Sequence, residues 1–438
     1  MSGFKVFSNR KDLDAVFTTR TASDPSSPVV VPFVTPAGQN LSDRYLPYID
    51  GEQKASATGF KCFDNSGNMV DLSDLYSKAP SWKAVGLGTS GPVLTIYALD
   101  ASNVYVGGSF ATVRNADGTS ITCNNIAKWD GSSWSALGSG TSNLSNVAAI
   151  HALDASNVYV GGNFLNAGGI AVNRIAKWDG ANWYALGSGT KGTSGEVYAI
   201  RAVDASNVYV GGLFVNAGDV SCNNIAKWNG VNWNRLGTAT TYGANQYVNA
   251  IHSLDASNVY IGGVFDIFTG LVCRRVAKWD GYTCTVLGTT ANNGTSAYIR
   301  TVYALDPSNV YVGGGFINAN AGATNQVPSK YISKWNGASW SALSLANDPS
   351  INGTNTFVNT IYAVDASNVY VGGAFHTAGD VSCNRIARYD GTSWDKLDSG
   401  TNDNPLIITK IPNSKIIYAG GNFTTAGGVL CSYIAQWS

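Results

Sequence analysis

The sequence of 438 residues has no excess of either charge and no concentrated run of one sign. Lysine and arginine together number 28, aspartate and glutamate together number 28, and the formal net charge is zero. A surface that binds nucleic acid or an anionic membrane leaves a local excess of Lys and Arg in the sequence. The composition therefore argues against both classes of partner.

Long apolar segments are absent as well. No stretch approaches the ~20 consecutive apolar residues that a helix needs to cross a membrane. Residues 1–5 (MSGFK) lack the apolar core of a secretory signal. We therefore expect neither membrane insertion nor secretion.

Residues that commonly carry catalysis or bind metals are scarce. The only histidines in the sequence are His151, His252 and His376, and the first two occupy equivalent positions of a repeat, which argues against a three-histidine metal site. No nucleophile elbow, phosphate-binding glycine loop or calcium loop occurs. Asp219 and Asp380 also match within the repeat, which indicates repeat structure rather than an acid–base pair. We predict a protein that is not an enzyme and that uses no cofactor or metal.

The seven cysteines do not suggest a disulfide framework. Five of them share one repeat position, namely Cys123, Cys222, Cys273, Cys383 and Cys431. Equivalent positions on packed sheets lie about 10 Å apart, whereas the Cα atoms of a disulfide lie within about 7 Å. We expect free, buried thiols at these positions and at Cys284, and folding in a reducing cytosol.

The sequence does contain one motif that occurs seven times. Its clearest copy spans residues 153–162 (LDASNVYVGG) and ends in a glycine pair. The seven glycine pairs are at 107–108, 161–162, 211–212, 262–263, 313–314, 372–373 and 420–421. Successive pairs are therefore 48 to 59 residues apart, a period that is typical of β-propellers when each copy contains strand-like segments.

Each copy contains four short strand-like segments. In the second copy, residues 147–153 are apolar on both faces, which predicts the innermost strand, packed between neighbouring blades. Asp154 then begins a tight turn in which its carboxylate accepts a backbone N–H two residues later. Strands over 158–164, 175–178 and 183–186 complete the copy. The sequence therefore predicts an all-β propeller of four-stranded antiparallel blades.

The last copy lacks a fourth strand, and a matching strand precedes the first copy. The chain ends after a third strand at 433–438, while residues 82–87 (WKAVGL) resemble the fourth strand at 183–187. Pairing of residues 82–87 with the carboxyl-terminal strand would close a seven-bladed ring and cover both edges. The expected domains are an amino-terminal arm over residues 1–80 and a propeller over residues 81–438.

All twelve tryptophans occupy two positions of the repeat, one in the third strand and one at the start of the fourth. Packing between blades is the expected role, and a platform for an aromatic ligand is the alternative.

Residues 1–80 differ from the rest of the chain. Two related segments, 4–17 and 60–76, each combine a short strand, a turn and a one-turn helix beginning at an Asp, and the polar residues between them cannot form a core. The arm either wraps the propeller or docks to another protein. The candidate anchoring residues are Phe4, Phe7, Leu13, Phe17, Phe60, Phe63, Leu72, Leu75 and Tyr76.

Two further sets of residues are candidates for binding. The loops at one end of the propeller vary in length and are either a binding face or solvated connectors; we call this end the variable face. Its candidate residues are Arg114, Tyr242, Tyr247, Asn293, Asn352 and Asn355. One innermost-strand position also varies, and its side chains either form a channel ring that holds a ligand or anion, or fill blade interfaces. We call this set the polar ring, which consists of Tyr97, His151, Arg201, His252, Tyr303, Tyr362 and Lys410.

The repeat resembles the kelch family of propellers. The resemblance rests on the strand and glycine pair at 158–162, followed by Trp178 and by Trp183 five residues later, and it recurs over residues 82–438. Trp stands where kelch repeats usually carry Tyr, and the strict Asp-Ala-Ser-Asn turn is a second departure. The resemblance implies a scaffold for binding.

Residues 60–76 are similar to short segments near the start of structural proteins of phages and large DNA viruses, which tie a displayed domain to a particle. This similarity implies a non-enzymatic virion protein, assembled in a reducing cytoplasm. The arm would dock it to other virion or scaffold proteins, and the propeller would serve for attachment to a host glycan or protein. The alternatives are a cytosolic kelch-like adaptor, a lectin-like carbohydrate-binding propeller and, without any supporting motif, an enzyme acting on carbohydrate.

Overall fold

The structure is a computed structural model that describes residues 62–63, 69–70, 80–142, 145–187, 192–322 and 324–438. Of the candidate anchoring residues, Phe63 lies in a two-residue strand, Cys62–Phe63, which pairs with Met69–Val70. The other candidates, Phe4, Phe7, Leu13, Phe17, Phe60, Leu72, Leu75 and Tyr76, lie outside the described residues, as do both predicted one-turn helices.

Seven four-stranded antiparallel sheets form the blades of a propeller over Pro80–Ser438, which confirms the predicted fold. The strands of blades 1 to 4 are Val93–Asp100, Asn103–Gly108, Ile126–Trp129 and Trp134–Ala136; Val147–Ala152, Val158–Gly162, Ile175–Trp178 and Trp183–Ala185; Glu196–Asp204, Asn207–Leu213, Ile225–Trp228 and Trp233–Arg235; and Val248–Asp255, Asn258–Gly263, Val276–Trp279 and Cys284–Val286. The strands of blades 5 and 6 are Ile299–Asp306, Asn309–Gly314, Ile332–Trp335 and Trp340–Ala342; and Val358–Asp365, Asn368–Gly373, Ile386–Tyr389 and Trp394–Lys396. The first strands of neighbouring blades pack side by side in a closed ring around a central channel.

Blade 7 is built from both ends of the propeller, as the sequence predicts. It consists of Pro405–Lys410, Ile417–Gly421, Ile434–Trp437 and Trp82–Ala84. Trp82 pairs with Trp437, and the ring is closed by this antiparallel register. The closing strand is shorter than the predicted 82–87 and ends at Ala84, two residues before Gly86, which has a φ of 58°.

The connections between second and third strands were expected to be loops but contain two-stranded ribbons in all seven blades. The ribbons are Thr112–Arg114 with Ser120–Thr122, Asn166–Ala167 with Ile170–Ala171, Asn216–Ala217 with Val220–Ser221, Ile267–Phe268 with Leu271–Val272, Asn318–Ala319 with Val327–Pro328, Thr377–Ala378 with Val381–Ser382, and Thr425–Ala426 with Val429–Leu430. The variable face is therefore more regular than the sequence predicts. No helix in the described part of the chain is long and apolar enough to cross a membrane.

The repeated turn and the glycine pair have the predicted local roles. The Asp154 carboxylate accepts the Ser156 backbone N–H at 2.7 Å, which fixes the turn after the first strand. A Cβ on Gly161 would lie 2.4 Å from Val197 Cγ1 of the next blade. A Cβ on Gly162 would lie 2.1 Å from the Asn146 carbonyl oxygen, so both glycines are required by close approach.

The fourth-strand tryptophans connect neighbouring blades. Trp183 of blade 2 donates its indole N–H to the Leu137 carbonyl of blade 1 at 3.0 Å, and its ring lies 5.3 Å from that of Trp178. The same bond to the preceding blade is made by Trp82, Trp134, Trp233, Trp340 and Trp394. The expected role of these residues in packing between blades is confirmed.

The six cysteines in the described residues outside 62–63 are free and buried, as expected. Blade 4 nevertheless contains a contact that the spacing of equivalent positions on different blades does not predict. Cys284 replaces the fourth-strand Trp, and its sulfur lies 3.6 Å from that of Cys273 within the same blade. The hydrogen bond from the Cys284 thiol lowers the pKa of Cys273.

Candidate functional site: the central channel

The central channel contains a cavity of about 270 Å³, lined by first-strand residues of all seven blades. One innermost-strand position carries a small side chain in six of the seven blades, namely Thr95, Ala149, Ala199, Ala250, Thr301 and Thr360, and Ile407 in the seventh. These residues line the cavity, whereas the position two residues later carries large polar-ring side chains in six blades and Thr409 in blade 7. The small side chains of this layer therefore leave the cavity open, and the larger side chains stand further along the first strands.

A second set of first-strand residues lines the cavity towards the variable face. We call it the mouth ring, and it consists of Leu94, Ala148, Tyr198, Asn249, Arg300, Asn359 and Leu406. Each member stands where the pairing of the first and second strands shifts register, for example Arg300 between Ile299 and Thr301. A bulge redirects a side chain from its regular alternation. The sequence analysis missed this ring, although its composition varies as much as that of the polar ring.

Arg300 is the charged member of the mouth ring. Its guanidinium lies 5.4 Å from the centre of the Tyr298 ring and 4.6 Å from that of Phe357 in the next blade. One nitrogen, Nη1, donates to Asn359 Oδ1 at 2.6 Å, and the side chain is exposed. Within the described residues Arg300 has no carboxylate partner. Its remaining N–H groups are therefore available to an acceptor from outside.

Hydrogen bonds across the blades hold the neighbours of Arg300 in place. Asn359 donates to the Pro405 carbonyl at 3.1 Å, and Asn249 donates to the Ile299 carbonyl at 2.9 Å. Both amides thereby bridge successive first strands. Tyr198 donates to Glu196 Oε2 at 2.9 Å. Burial and this carboxylate raise the pKa of Tyr198 to about 12, so its hydroxyl stays protonated at neutral pH.

The placement of the Tyr298 ring requires Gly315, which directly follows the glycine pair of blade 5. The other blades have no glycine at this position. A Cβ on Gly315 would lie 2.4 Å from Cζ of the Tyr298 ring, so the aromatic ring lies directly against the backbone there. The equivalent residues of other blades carry side chains, such as Asn163 and Leu213. The stacked arrangement of Tyr298 and Arg300 is thus particular to this side of the mouth.

The structure brings six of the seven predicted members of the polar ring together along the channel. Lys410 is the exception: Thr409 pairs with Tyr418 as Tyr97 pairs with Tyr105, so Thr409 and not Lys410 stands at this position in blade 7. The turn after the first strand of blade 7 is one residue longer than in blade 1, which shifts Lys410 out of the register. Tyr97 lies 4.5 Å from His151 and His252 lies 4.5 Å from Tyr303, measured between ring centroids. Tyr303 in turn lies 5.0 Å from Tyr362. Contacts between equivalent positions of successive blades place these side chains around the axis. His151 is buried, whereas the other members keep some accessible surface.

Arg201 and the two histidines form the polar part of this ring. Arg201 donates from Nε to Ser253 Oγ at 3.1 Å and from Nη2 to the Ser253 carbonyl at 2.9 Å. His252 Nδ1 accepts the Ala304 backbone N–H at 3.3 Å. Burial, reinforced by the Arg201 charge, holds the pKa values of His151 and His252 well below their usual range, so both are neutral.

The candidate residues of the variable face have different surroundings. Arg114 is exposed on a ribbon, Tyr247 is exposed beside the mouth ring, and Tyr242 stacks on Arg235 with 4.7 Å from the guanidinium to the ring centre. Asn293 and Asn352 are buried: Asn293 donates to the Thr289 carbonyl, and Asn352 accepts the Lys330 backbone N–H. Asn355 is exposed and uses its side-chain oxygen to cap the ribbon at His376 and Thr377. The three asparagines therefore support the loops, and burial removes Asn293 and Asn352 from the candidate ligand contacts.

Metal chemistry finds no support in the described residues. No group of three or more His, Cys, Asp or Glu side chains is placed there to hold a metal ion.

Comparisons with known proteins identify the fold. No family model and no curated protein matches the chain. The chain is similar to the WD40 beta propeller domain of Doa1, with a TM-score of 0.50 and 12% identity, covering 82% of this chain and 97% of that one. It is also similar to YCF48 bound to D1 peptide, with a TM-score of 0.48 and 13% identity over 82% and 96% of the two chains.

These findings define the class of protein. The chain is a seven-bladed β-propeller of four-stranded antiparallel blades. The similar structures do not show which propeller family the repeat belongs to, so the kelch resemblance stays a prediction.

Proposed function

We propose that this chain is a non-enzymatic binding module whose protein partner docks on the variable face at the mouth ring. The observation that carries the proposal is the exposed Arg300 guanidinium, held between Tyr298 and Phe357 with free N–H groups. Aromatic rings and Arg are the residue types enriched at the energetic centre of protein interfaces. A carboxylate of the partner, from a side chain or a chain terminus, is the group that such an arginine recognises best.

The position of the mouth ring supports this docking mode. Arg300 follows the blade-joining loop 289–297 by three residues, so the mouth opens among the loops that vary in length. Exposed Tyr247 and Asn355 lie in the corresponding loops of blades 4 and 6. Loops on a rigid scaffold are the usual location of binding residues.

Replacement of Arg300 tests the proposal. We expect Arg300→Gln to weaken the partner's affinity about tenfold or more, because one charge-assisted contact at the centre of the interface is lost. Partners are first captured from a lysate of the source with the full chain, and the Kd of each is then measured by interferometry. Lys396→Gln, on the outermost strand of blade 6, is the matched control and should leave the Kd unchanged. Equal affinity of the Arg300 variant and the wild type would contradict docking at the mouth.

We further propose that the propeller is displayed on a virus particle and anchored through residues 1–80. The support is the similarity of residues 60–76 to segments of phage and large-DNA-virus structural proteins. Its location would then be the virion; the alternatives are a cytosolic kelch-like adaptor and a lectin-like propeller that binds host glycans. Binding to a glycan array without any protein partner would favour the lectin.

Particle association is tested on a density gradient of a lysate from the source. By quantitative mass spectrometry, we expect the full chain to peak with particles at a fixed ratio to a major shell protein. A chain reduced to residues 81–438 should stay folded by circular dichroism but remain with the soluble proteins. Full-length chain at the top of the gradient would favour the adaptor, and incorporation of the shortened chain would exclude the arm as the anchor.

A further inference from the structure

The polar ring has an unbalanced charge for a chain whose overall charge is zero. Arg201 is the one cation among the six members that share the register of Tyr97, and the other five are histidine and tyrosine. The two hydrogen bonds of Arg201 go to the neutral hydroxyl and carbonyl of Ser253. Within the part of the chain that the structure describes, Arg201 has no carboxylate partner. A guanidinium that is largely removed from water normally has one.

His151 provides a second, independent observation. Its side chain is only 5% exposed, and neither ring nitrogen has a hydrogen-bond partner. A neutral imidazole carries one N–H donor and one acceptor. Buried polar atoms without partners are rare and mark places where a bound molecule or ion completes the structure.

The tyrosines of the polar ring add further donors. The Tyr97 hydroxyl has no protein partner among the described residues, and the rings of Tyr303 and Tyr362 lie 5.0 Å apart. Burial raises the pKa of Tyr97, Tyr303 and Tyr362, so their hydroxyls stay protonated. Unused donors therefore surround Arg201 from several blades, without an acceptor among them that carries negative charge.

We propose that the polar ring binds a small oxyanion, a phosphate or a carboxylate, on Arg201, with His151 and the tyrosine hydroxyls as additional donors. An oxyanion offers several acceptor oxygens and matches the planar guanidinium. Arg201, His252 and the three tyrosines each keep some accessible surface, so an ion can reach their polar groups. The cavity behind the mouth ring adjoins the site, since Ile200, which lines it, directly precedes Arg201. This site goes beyond the docking surface proposed above.

Histidine NMR can observe this site directly, because the sequence contains three histidines. The full chain, labelled with ¹⁵N-histidine, is titrated with sodium phosphate, sodium acetate or sodium chloride at constant ionic strength. We expect the His151 signals to shift saturably with phosphate or acetate, while exposed His376 stays unchanged. The anion with the lower Kd shows whether the site prefers a phosphate or a carboxylate. At a concentration of about 100 times the Kd, the Tm should rise by about 3 °C.

Substitutions connect the response to the polar ring. Arg201→Met should abolish both the His151 shift and the rise in Tm, whereas Lys396→Met should retain both. Tyr97→Phe preserves ring packing and removes one donor, so the variant should fold and bind the anion several-fold more weakly. If Arg201→Met does not fold, Tyr97→Phe alone tests the site. Arg300→Gln should leave the anion response intact, so failure of the docking proposal and failure of this one are distinguishable.

Two results would overturn the anion site. One is a His151 signal that responds identically to chloride, phosphate and acetate, or to none of them. The other is an unchanged response in Tyr97→Phe together with an equal rise in Tm for Arg201→Met and the wild type. Either result would mean that water alone occupies the polar ring.

Discussion

A propeller that begins at residue 88 is expected to lose its folded structure, whereas one that begins at residue 81 keeps it. Residues 81–87 supply the closing strand, in which Trp82 is 3% exposed, and the adjoining Val85, which is 1% exposed. Removal of both side chains from the core should lower the free energy of unfolding by about 5 kcal/mol or more. This is a large part of the stability of a typical domain. The loss also exposes the edge of Ile434–Trp437 to association with other chains.

Urea unfolding followed by circular dichroism, with size-exclusion chromatography for association, measures this effect. The chain 81–438 carrying Lys83→Ala is the control, because Lys83 lies in the same strand with an exposed side chain and should change stability by less than about 0.5 kcal/mol. A synthetic peptide of residues 80–88 added to the 88–438 chain should restore part of the lost structure. A monomeric 88–438 chain that unfolds at the same urea concentration as 81–438 would contradict the closure mechanism.

Replacement of Trp183 by Ala should be the most damaging single substitution among those considered. The indole fills the boundary between blades 1 and 2, lies 5.3 Å from Trp178 and donates to the Leu137 carbonyl. We expect a loss of about 3–5 kcal/mol in the free energy of unfolding, since a cavity is left and a buried carbonyl loses its partner. Urea unfolding of the 81–438 chain gives this value.

Two substitutions separate the contributions of the indole. Trp183→Phe keeps an aromatic ring but removes the N–H donor. It should therefore lower the free energy of unfolding by about 1–3 kcal/mol. Tyr184→Ala, at an adjacent residue that is 47% exposed, should change stability by less than about 0.5 kcal/mol. If Trp183→Ala costs no more than Tyr184→Ala, the proposed connection between blades is wrong.

The fold was predictable because its signals are local and repeated. A glycine pair recurs with strand-like segments around it, and the turn at Asp154 has the same chemistry in most copies. The closing strand was identifiable because residues 82–87 repeat the text of a fourth strand. The ribbons were missed because strands of two residues, such as Asn166–Ala167, are too short to show alternation.

The channel was only partly predictable. Six members of the polar ring follow the regular alternation of the first strand, so their varying position was visible in the sequence. In blade 7 the longer turn made Lys410 look equivalent, whereas the pairing places Thr409 there. The mouth ring stands at a register shift in every blade, where alternation no longer gives the direction of a side chain. The variation of this position was visible in the sequence, but neither the direction of the Arg300 side chain nor its stacking on Phe357 of the next blade could be predicted from it.

By itself, the sequence determined the number of blades, their strands, the pair of ends that closes the ring and the position that lines the polar ring. The tertiary structure alone decided which side chains meet, because such contacts depend on the curvature of the closed ring and on the bulges. It placed Arg300 between Tyr298 and Phe357, left His151 without partners beside Arg201, and brought Cys273 and Cys284 together within one blade. Distances between residues some 50 positions apart follow from ring closure, and no local pattern encodes them.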